Sequence, residues 1–299
     1  HSREYMEHLR AMGEESTWLD ADEMKRITGS DYYMSGLLTP KTITIQSAAY
    51  VRGLAVGLSR HVNIYENTPV VEMERMNGIW KVCTPKGSVS ASKVILSVNG
   101  HLNSFGFLKK RLMHIFLYAS MTRTLTKEEI RKLGGEPSWG VAPANPFGSS
   151  VRKISGVGGD RIMVRNKFHF TSSLEASDRD VKRTVRDHDR SFQRRFPMLT
   201  DVQMEYRWGG RLCLSWNGVP VFGEIENGLF AACCQNGLGA SKGTLAGILV
   251  AEYASGVKNS YIEDYLNEEQ PTQLPPEPFA TIGARTYLNW QEWRAGLEK

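Results

Sequence analysis

The chain has 299 residues, 41 % apolar and 23 % charged, with a net charge of +5. That length suits one large or two medium domains with a true core, and the balance is that of a globular protein, not of a disordered or fibrous one. No stretch approaches the ~20 apolar residues of a membrane span, and the opening residues are polar and acidic, unlike a signal peptide.

Four cysteines, Cys83, Cys213, Cys233 and Cys234, are too few for a disulfide framework and lack zinc-ligand spacing, so no metal site is expected. They read as reduced structural thiols of a cytoplasmic protein.

The first 35 residues read as helix, loop and a second helix, with Asp20 as N-cap and Glu23 as its capping-box partner. Residues 46–59 form a helix with Ala49, Val51, Leu54, Ala55 and Leu58 on its apolar side. From His61 the period changes to two. Val62 and Ile64 make a short strand, followed by strands at 70–75 and 80–84 and at Val89, with turns at Asn77-Gly78 and Lys86-Gly87. Residues 93–98, with Val94, Ile95 and Leu96, read as a parallel strand buried on both faces that stops at Asn99-Gly100.

The middle third changes character. A long strand spans 113–124 and a short helix 127–133. Strands at 151–154 and 161–165 flank Gly156-Val157-Gly158-Gly159-Asp160. No helix follows those glycines, so they form a hairpin turn and not a phosphate loop. Residues 178–195 form a helix with Arg179, Arg183, Arg186 and Arg190 along one side and Val181, Val185, His188 and Phe192 along another. Asp180, Asp187 and Asp189 dilute the basic stripe, which reads as a solvated face, with an acidic partner or nucleic acid as the lesser reading.

After a strand at 202–214, a strand–turn–helix closes the pattern. Val219, Val221 and Phe222 lead to Gly223, and the run from Leu229 to Ala232 leads to Cys233. Gly237-Leu238-Gly239 then opens into Gly243, Gly247 and a helix at 248–253. Such a turn offers backbone N–H groups to an anion or an electron-rich ring edge. From Pro271 an irregular tail with Trp290 and Trp293 packs over the body.

The expected class is mixed α/β with two domains and a site at their interface. A helical segment spans 1–35. Residues 36–105 and 215–258 form one unit, 106–214 an inserted antiparallel domain, and 259–299 the tail.

Thr68-Pro69-Val70, Ser97-Val98-Asn99-Gly100-His101, Arg207-Trp208-Gly209-Gly210, Asn217-Gly218-Val219-Pro220 with Phe222-Gly223, and Gly237-Leu238-Gly239 with Thr244-Leu245-Ala246-Gly247 carry a resemblance by their order and spacing. From Gly36 onward the chain resembles the flavin-dependent amine and amino-acid oxidoreductases of the D-amino-acid oxidase type. The resemblance implies FAD as cofactor, a partial Rossmann-like FAD-binding domain, and an antiparallel-sheet substrate domain inserted in it. It implies that Val70 holds the adenine through its backbone and that Asn99 and Gly100 line the dinucleotide. Gly237, Leu238 and Gly239, with Ser241 and Lys242, then place N–H groups and a cation near the flavin pyrimidine.

The implied reaction is oxidation of a C–N bond in a small-molecule amine or amino acid by hydride transfer to flavin N5, with no catalytic side chain assigned. Arg207, Arg211, Arg123 and His114 are the candidate substrate contacts, with Trp208 and Tyr118 as pocket walls. Each arginine is equally explained by a salt bridge, and each ring by core packing.

Two departures stand out. Leu238 occupies the place where many relatives have histidine, and residues 1–35, with only Gly13 and Gly29, lack the GxGxxG turn that opens this family. The chain therefore reads as a member lacking its N-terminal FAD-binding portion. It is expected to dimerise across the edge of the 93–98 strand or to be completed by further residues. A non-catalytic, partner-binding subunit that retains no flavin is the alternative. Neither nucleic acid nor a membrane span is expected.

Overall fold

The computed structural model describes residues 2–170, 175 and 177–299. Helix α1 (Ser2–Ala11) and strand β1 (Thr17–Leu19) precede α2 (Ala21–Thr28). The start of α2 is set by the capping box, in which Asp20 accepts the Glu23 N–H and Glu23 accepts the Asp20 N–H. Strand β2 (Gly36–Leu38) pairs antiparallel with β1, and α3 (Ser47–Leu58) follows its N-cap Gln46.

An antiparallel sheet comes next, of β3 (Glu72–Met76), β4 (Ile79–Thr84) and β5 (Gly87–Ala91). Its first hairpin turns at Asn77 and Gly78, both with positive φ, as a two-residue hairpin turn requires. Strand β6 (Val94–Leu96) ends in a 3-10 turn over Asn99–Phe105. Then come β7 (Leu112–Thr122), α4 (Lys127–Leu133), β8 (Trp139–Val141), β9 (Ser150–Ile154), β10 (Arg161–Phe170) and α5 (Asp178–Arg195). The chain continues through β11 (Met204–Ser215), β12 (Val221–Glu226), β13 (Leu229–Cys233), α6 (Lys242–Ala254), α7 (Ser260–Asn267) and α8 (Phe279–Arg294). This is the mixed α/β class with antiparallel sheets that the sequence predicts.

The chain forms two compact units. One comprises His1–Thr44, Phe116–Arg211 and Thr281–Lys299. Its sheet runs β11-β7-β10-β9-β8, with β9 and β10 joined as the predicted glycine hairpin. Helix α5 presses Phe192 into a core with Trp139, Val151, Ile162, Val164 and Phe196, while Arg179, Arg183, Arg186 and Arg190 stay exposed. The other unit comprises Ile45–Ile115 and Leu212–Ala280. Its sheet runs β12-β13-β6, and α6 packs Val250 and Ala254 against Phe230 of β13. Trp80, Leu96, Leu102, Leu112 and Leu229 share a core with three cysteines, Cys213, Cys233 and Cys234.

Several apolar segments depart from expectation. Val62 and Ile64 form no strand, because alternation makes a strand only where a partner pairs with it, and no pairing is found for them among the described residues. Strand β6 is three residues long and Ile95 is 39 % exposed, so it is not covered on both faces. Helix α3 has no buried residue: Val51, Leu54 and Leu58 lie in solvent. The residues after 258 are largely helical, in α7 and α8, in place of an irregular tail.

Arg195 and His188 are among the polar groups buried in the first unit. Arg195 is 1 % exposed. Its guanidinium donates to the carbonyls of Ser191 (3.1 Å), Glu298 (2.8 Å) and Lys299 (3.2 Å), and to Ser191 Oγ (2.6 Å). Its plane also lies over the Tyr32 ring. Arg195→Met strips those acceptors of their donor and should lower stability by about 3 kcal/mol. An unchanged urea midpoint at neutral pH would show that the acceptors find other donors.

His188 is wholly buried, with Nδ1 2.6 Å from Ser120 Oγ and Nε2 3.4 Å from the Asn166 carbonyl. Burial depresses its pKa from 6.5 to about 4. Between those values the unfolded chain binds a proton that the folded one refuses. Stability is therefore complete above pH 6.5, falls as the pH drops toward 4, and levels off below. The slope in that window reaches about 1.4 kcal/mol per pH unit. Unfolding curves of the parent and of His188→Gln should differ by this slope, and parallel pH profiles would overturn the assignment.

Candidate functional site

Strands β6 and β13 run parallel, with Val94 opposite Leu229 and Leu96 opposite Ala231. Their carboxyl ends therefore lie side by side, the edge at which open α/β sheets take ligands. Both strands leave that edge through left-handed residues: Asn99 (φ 50°) after β6, and Cys234 (57°), Asn236 (50°) and Gly237 (86°) after β13. Asparagine and glycine adopt that region most readily. Asn99 Oδ1 accepts the Cys234 N–H at 3.1 Å and ties the two strand ends together.

Asn236 does the same for the far side of the turn. Its Oδ1 accepts the Ser215 N–H at 2.9 Å, and its Nδ2 donates to the carbonyls of Gly218 (2.9 Å) and Cys234 (3.0 Å). Sequence reasoning did not select Asn236, although an asparagine directly before a glycine is a readable signal for a left-handed turn.

The turn then feeds α6. The Leu238 N–H donates to the Gln235 carbonyl and the Lys242 N–H to the Leu238 carbonyl, each at 3.0 Å. Ser241 stands at the N-cap but makes no side-chain capping bond. Lys242 is exposed, and its ammonium has no ion-pair or hydrogen-bond partner among the described residues. Nothing lies within 4 Å of the place a Cβ would take on Gly239, and on Gly237 it would meet only Leu212 Cδ1, at 3.7 Å. Leu238 is 52 % exposed. The segment carries a helix N-terminus, a cation without a partner among the described residues, and open glycines within a few residues of one another. It can stabilise an anion or a polar ring edge.

Gly100 is buried behind this edge. A Cβ on it would lie 2.5 Å from His114 Cε1 and 2.6 Å from Nδ1, so only glycine fits beside that ring. Asn99 is thus bonded to Cys234 at the start of the turn, and Gly100 follows it against the His114 ring. Val70 is in the same unit but stands just before β3, where the next residue, Val71, donates its N–H to the Cys83 carbonyl. The thiols nearby are structural: Cys233 Sγ donates to the Leu96 carbonyl, and burial pushes its pKa up to about 11. A hydrogen bond with Cys213 lowers the Cys234 thiol against the opposing effect of burial.

The candidate substrate residues Arg123, Arg207, Trp208 and Arg211 lie in the other unit. Arg123 grips Glu129 with both nitrogens (2.9 and 2.7 Å) and holds that carboxyl down to about 2, while Glu129 also completes the capping box of α4. Arg207 donates to Asp189 at 2.7 Å and to Ser120 Oγ at 3.1 Å. Trp208 is 40 % exposed and Arg211 partly buried. Tyr118 is buried within β7, and desolvation raises its phenol pKa.

Among the described residues, no group of three or more His, Cys, Asp or Glu side chains is placed to hold a metal ion, and no helix is long and apolar enough to cross a membrane.

A family described as FAD dependent oxidoreductase matches residues 1–253. The probable oxidoreductase OrdL of Haemophilus influenzae is 27 % identical over 241 residues, covering 79 % of this chain and 53 % of its own length. Gamma-glutamylputrescine oxidoreductase of Escherichia coli is 26 % identical over 250 residues, covering 80 % of this chain and 54 % of its own. The chain thus spans about half the length of these curated relatives. In fold it is similar to the glycine oxidase of Geobacillus kaustophilus, with a TM-score of 0.71 at 18 % identity over 90 % of this chain and 70 % of that one. Matched over most of its length, the chain belongs to the FAD-dependent oxidoreductase family.

Proposed function

We propose that this chain takes part in the FAD-dependent oxidation of a C–N bond in a small-molecule amine or amino acid, and that it supplies the flavin-ring end of the cofactor site. The observation that carries this reading is the turn from Asn236 to Lys242, with open glycines, an uncapped helix start and an unpaired ammonium. These groups fit a flavin. Bound FAD supplies the hydride acceptor, at N5.

The chain's own residues do the rest. Asn99 and Asn236 preorganise the turn, and Gly237 and Gly239 allow close approach of the ring. The Ser241 and Lys242 start of α6 favours negative charge on the pyrimidine. Leu238 adds apolar cover and no imidazole. Gly100 lines the dinucleotide turn beside Asn99 while leaving room for the His114 ring, and the Val70 backbone serves the adenine.

Residues 36–105 with 215–258 are read as the cofactor portion, and 106–214 as the substrate portion. Arg207, Arg211 and Trp208 are the substrate-binding candidates, whereas Arg123 is already committed to Glu129. Four free thiols fit a reducing compartment such as the cytoplasm.

We read the functional cofactor site as larger than this chain. The bare apolar side of α3 and the exposed Ile95 on β6 support this, as surface that a second copy or further residues would cover. The share of its relatives that the chain spans points the same way.

Titration with FAD should give a saturable, red-shifted flavin spectrum that bleaches anaerobically with an amine or amino-acid substrate. A chain that stays colourless with excess FAD would leave the non-catalytic, partner-binding alternative. Asn99 separates its two roles by substitution. Asn99→Gly keeps the left-handed backbone and loses only the bond to Cys234, at about 1 kcal/mol. Asn99→Ala adds backbone strain and should cost about 2 kcal/mol. Both should weaken FAD binding in that order, and equal FAD affinities for both variants and the parent would remove Asn99 from the site.

A further inference from the structure

Helix α8 and the 3-10 turn Gly296–Glu298 lie outside the residues that the family description matches. Their inward side is firmly held. Buried Glu292 accepts Lys299 Nζ (2.8 Å), the Phe168 N–H (2.8 Å) and Lys167 Nζ (3.0 Å). Burial works against its charge, but these donors outweigh that and keep the carboxyl below its usual range. Arg195 and the Ser149 N–H bind the Glu298 carbonyl, and the Tyr32 hydroxyl donates to the Leu297 carbonyl. The orientation of this helix is therefore built in and does not result from a frayed segment.

What this rigid element turns outward is apolar. Ile282, Trp290 and Trp293 recur at helical spacing along one stripe of α8, and Leu297 stands exposed in the turn beyond it, with Trp293 77 % and Leu297 80 % exposed. Arg285 and Arg294 flank the stripe, and Arg294 lies 4.8 Å over the Trp290 ring. The two acids of this stretch are engaged inward, Glu292 as above and Glu298 with the Asn145 N–H at 2.7 Å. Between Thr281 and Leu297 the exposed surface is thus made of rings, aliphatic groups, arginines and the neutral Thr286 and Asn289, with no exposed carboxylate.

We propose that this face docks the protein peripherally on an anionic lipid surface. Indole rings prefer the boundary between headgroups and acyl chains, where the apolar body is buried and the N–H stays wet. Arginines beside such a stripe meet lipid phosphates, and the net charge of +5 adds long-range attraction. Indoles flanked by arginines, with no exposed carboxylate between them, match a surface that offers apolar chains beneath anionic headgroups. The helix lies in the interface and does not span it, and the proposal does not depend on the flavin reading.

Co-sedimentation of the full chain with vesicles tests it, using phosphatidylcholine alone and phosphatidylcholine mixed equally with phosphatidylglycerol. The expected result is selective sedimentation with the anionic vesicles, together with a shift of tryptophan emission to shorter wavelength. The doubly substituted Trp293→Ser, Leu297→Ser chain should keep its thermal midpoint and lose about tenfold or more in partitioning, the scale of two large apolar groups left in water. Failure to sediment with anionic vesicles overturns the proposal, and so does equal binding by the variant, which would move the contact to the arginines of α5. A parent that is dimeric in solution while the variant is monomeric also overturns it, by making the stripe an interface between copies.

Discussion

The parallel pairing of β6 with β13 is the constraint on which the candidate site depends. Two short strands, distant in sequence, are brought into register over three residue pairs, and the candidate cofactor turns are hung from their carboxyl ends. The pairing alone would leave two loops to diverge. One side-chain bond, from the Cys234 N–H to Asn99 Oδ1, converts adjacent strand ends into a single surface. Asn236 then fixes the turn to the segment between β11 and β12, so three chain segments share two asparagines. Because these residues sit at positive φ, their backbone geometry and their side-chain bonding reinforce each other.

The unit built on the five-stranded sheet is held by a different principle. Its interior contains a full cation, a neutral imidazole and a carboxylate, at Arg195, His188 and Glu292. Each is held by specific partners, although Arg195 Nε is left without one, and none of the three is oriented by apolar packing alone. Buried polar groups of this kind make alternative packings costly, since any shift leaves a donor or acceptor unmet. They also link segments that lie far apart in the chain, such as the end of α5 with residues 298 and 299.

What the sequence made legible follows from how local each signal is. The bounds of α4 and α5 were readable because their caps and periodicity lie within the segment, and the glycine cluster before β10 declared a hairpin because no helix followed it. The 237–239 turn was visible for the same reason. Partners were not legible. Arg123 offered a plausible carboxylate clamp, yet its carboxylate is Glu129 of its own chain, six residues away. Val62 and Ile64 alternate like a strand and form none, because alternation carries no information on whether a neighbouring strand is present. Helix α8 was hidden by the prolines before it and by a pattern turned inside out, with Glu292 buried beside Leu288 while Trp290 and Trp293 face solvent. An apolar stripe in sequence marks the packed side of a helix only when the buried side is the apolar one.

Gly100 and His114 have a consequence for how this chain can vary. The glycine hydrogen faces the imidazole so closely that any side chain at 100 must displace the ring. Shrinking 114 on its own would open a void, and enlarging 100 on its own would force a clash. The two positions are therefore exchangeable only as a pair, and a lineage that replaces one must pass through a less stable intermediate. Among related chains their identities should drift together, the volume gained at one matched by volume given up at the other.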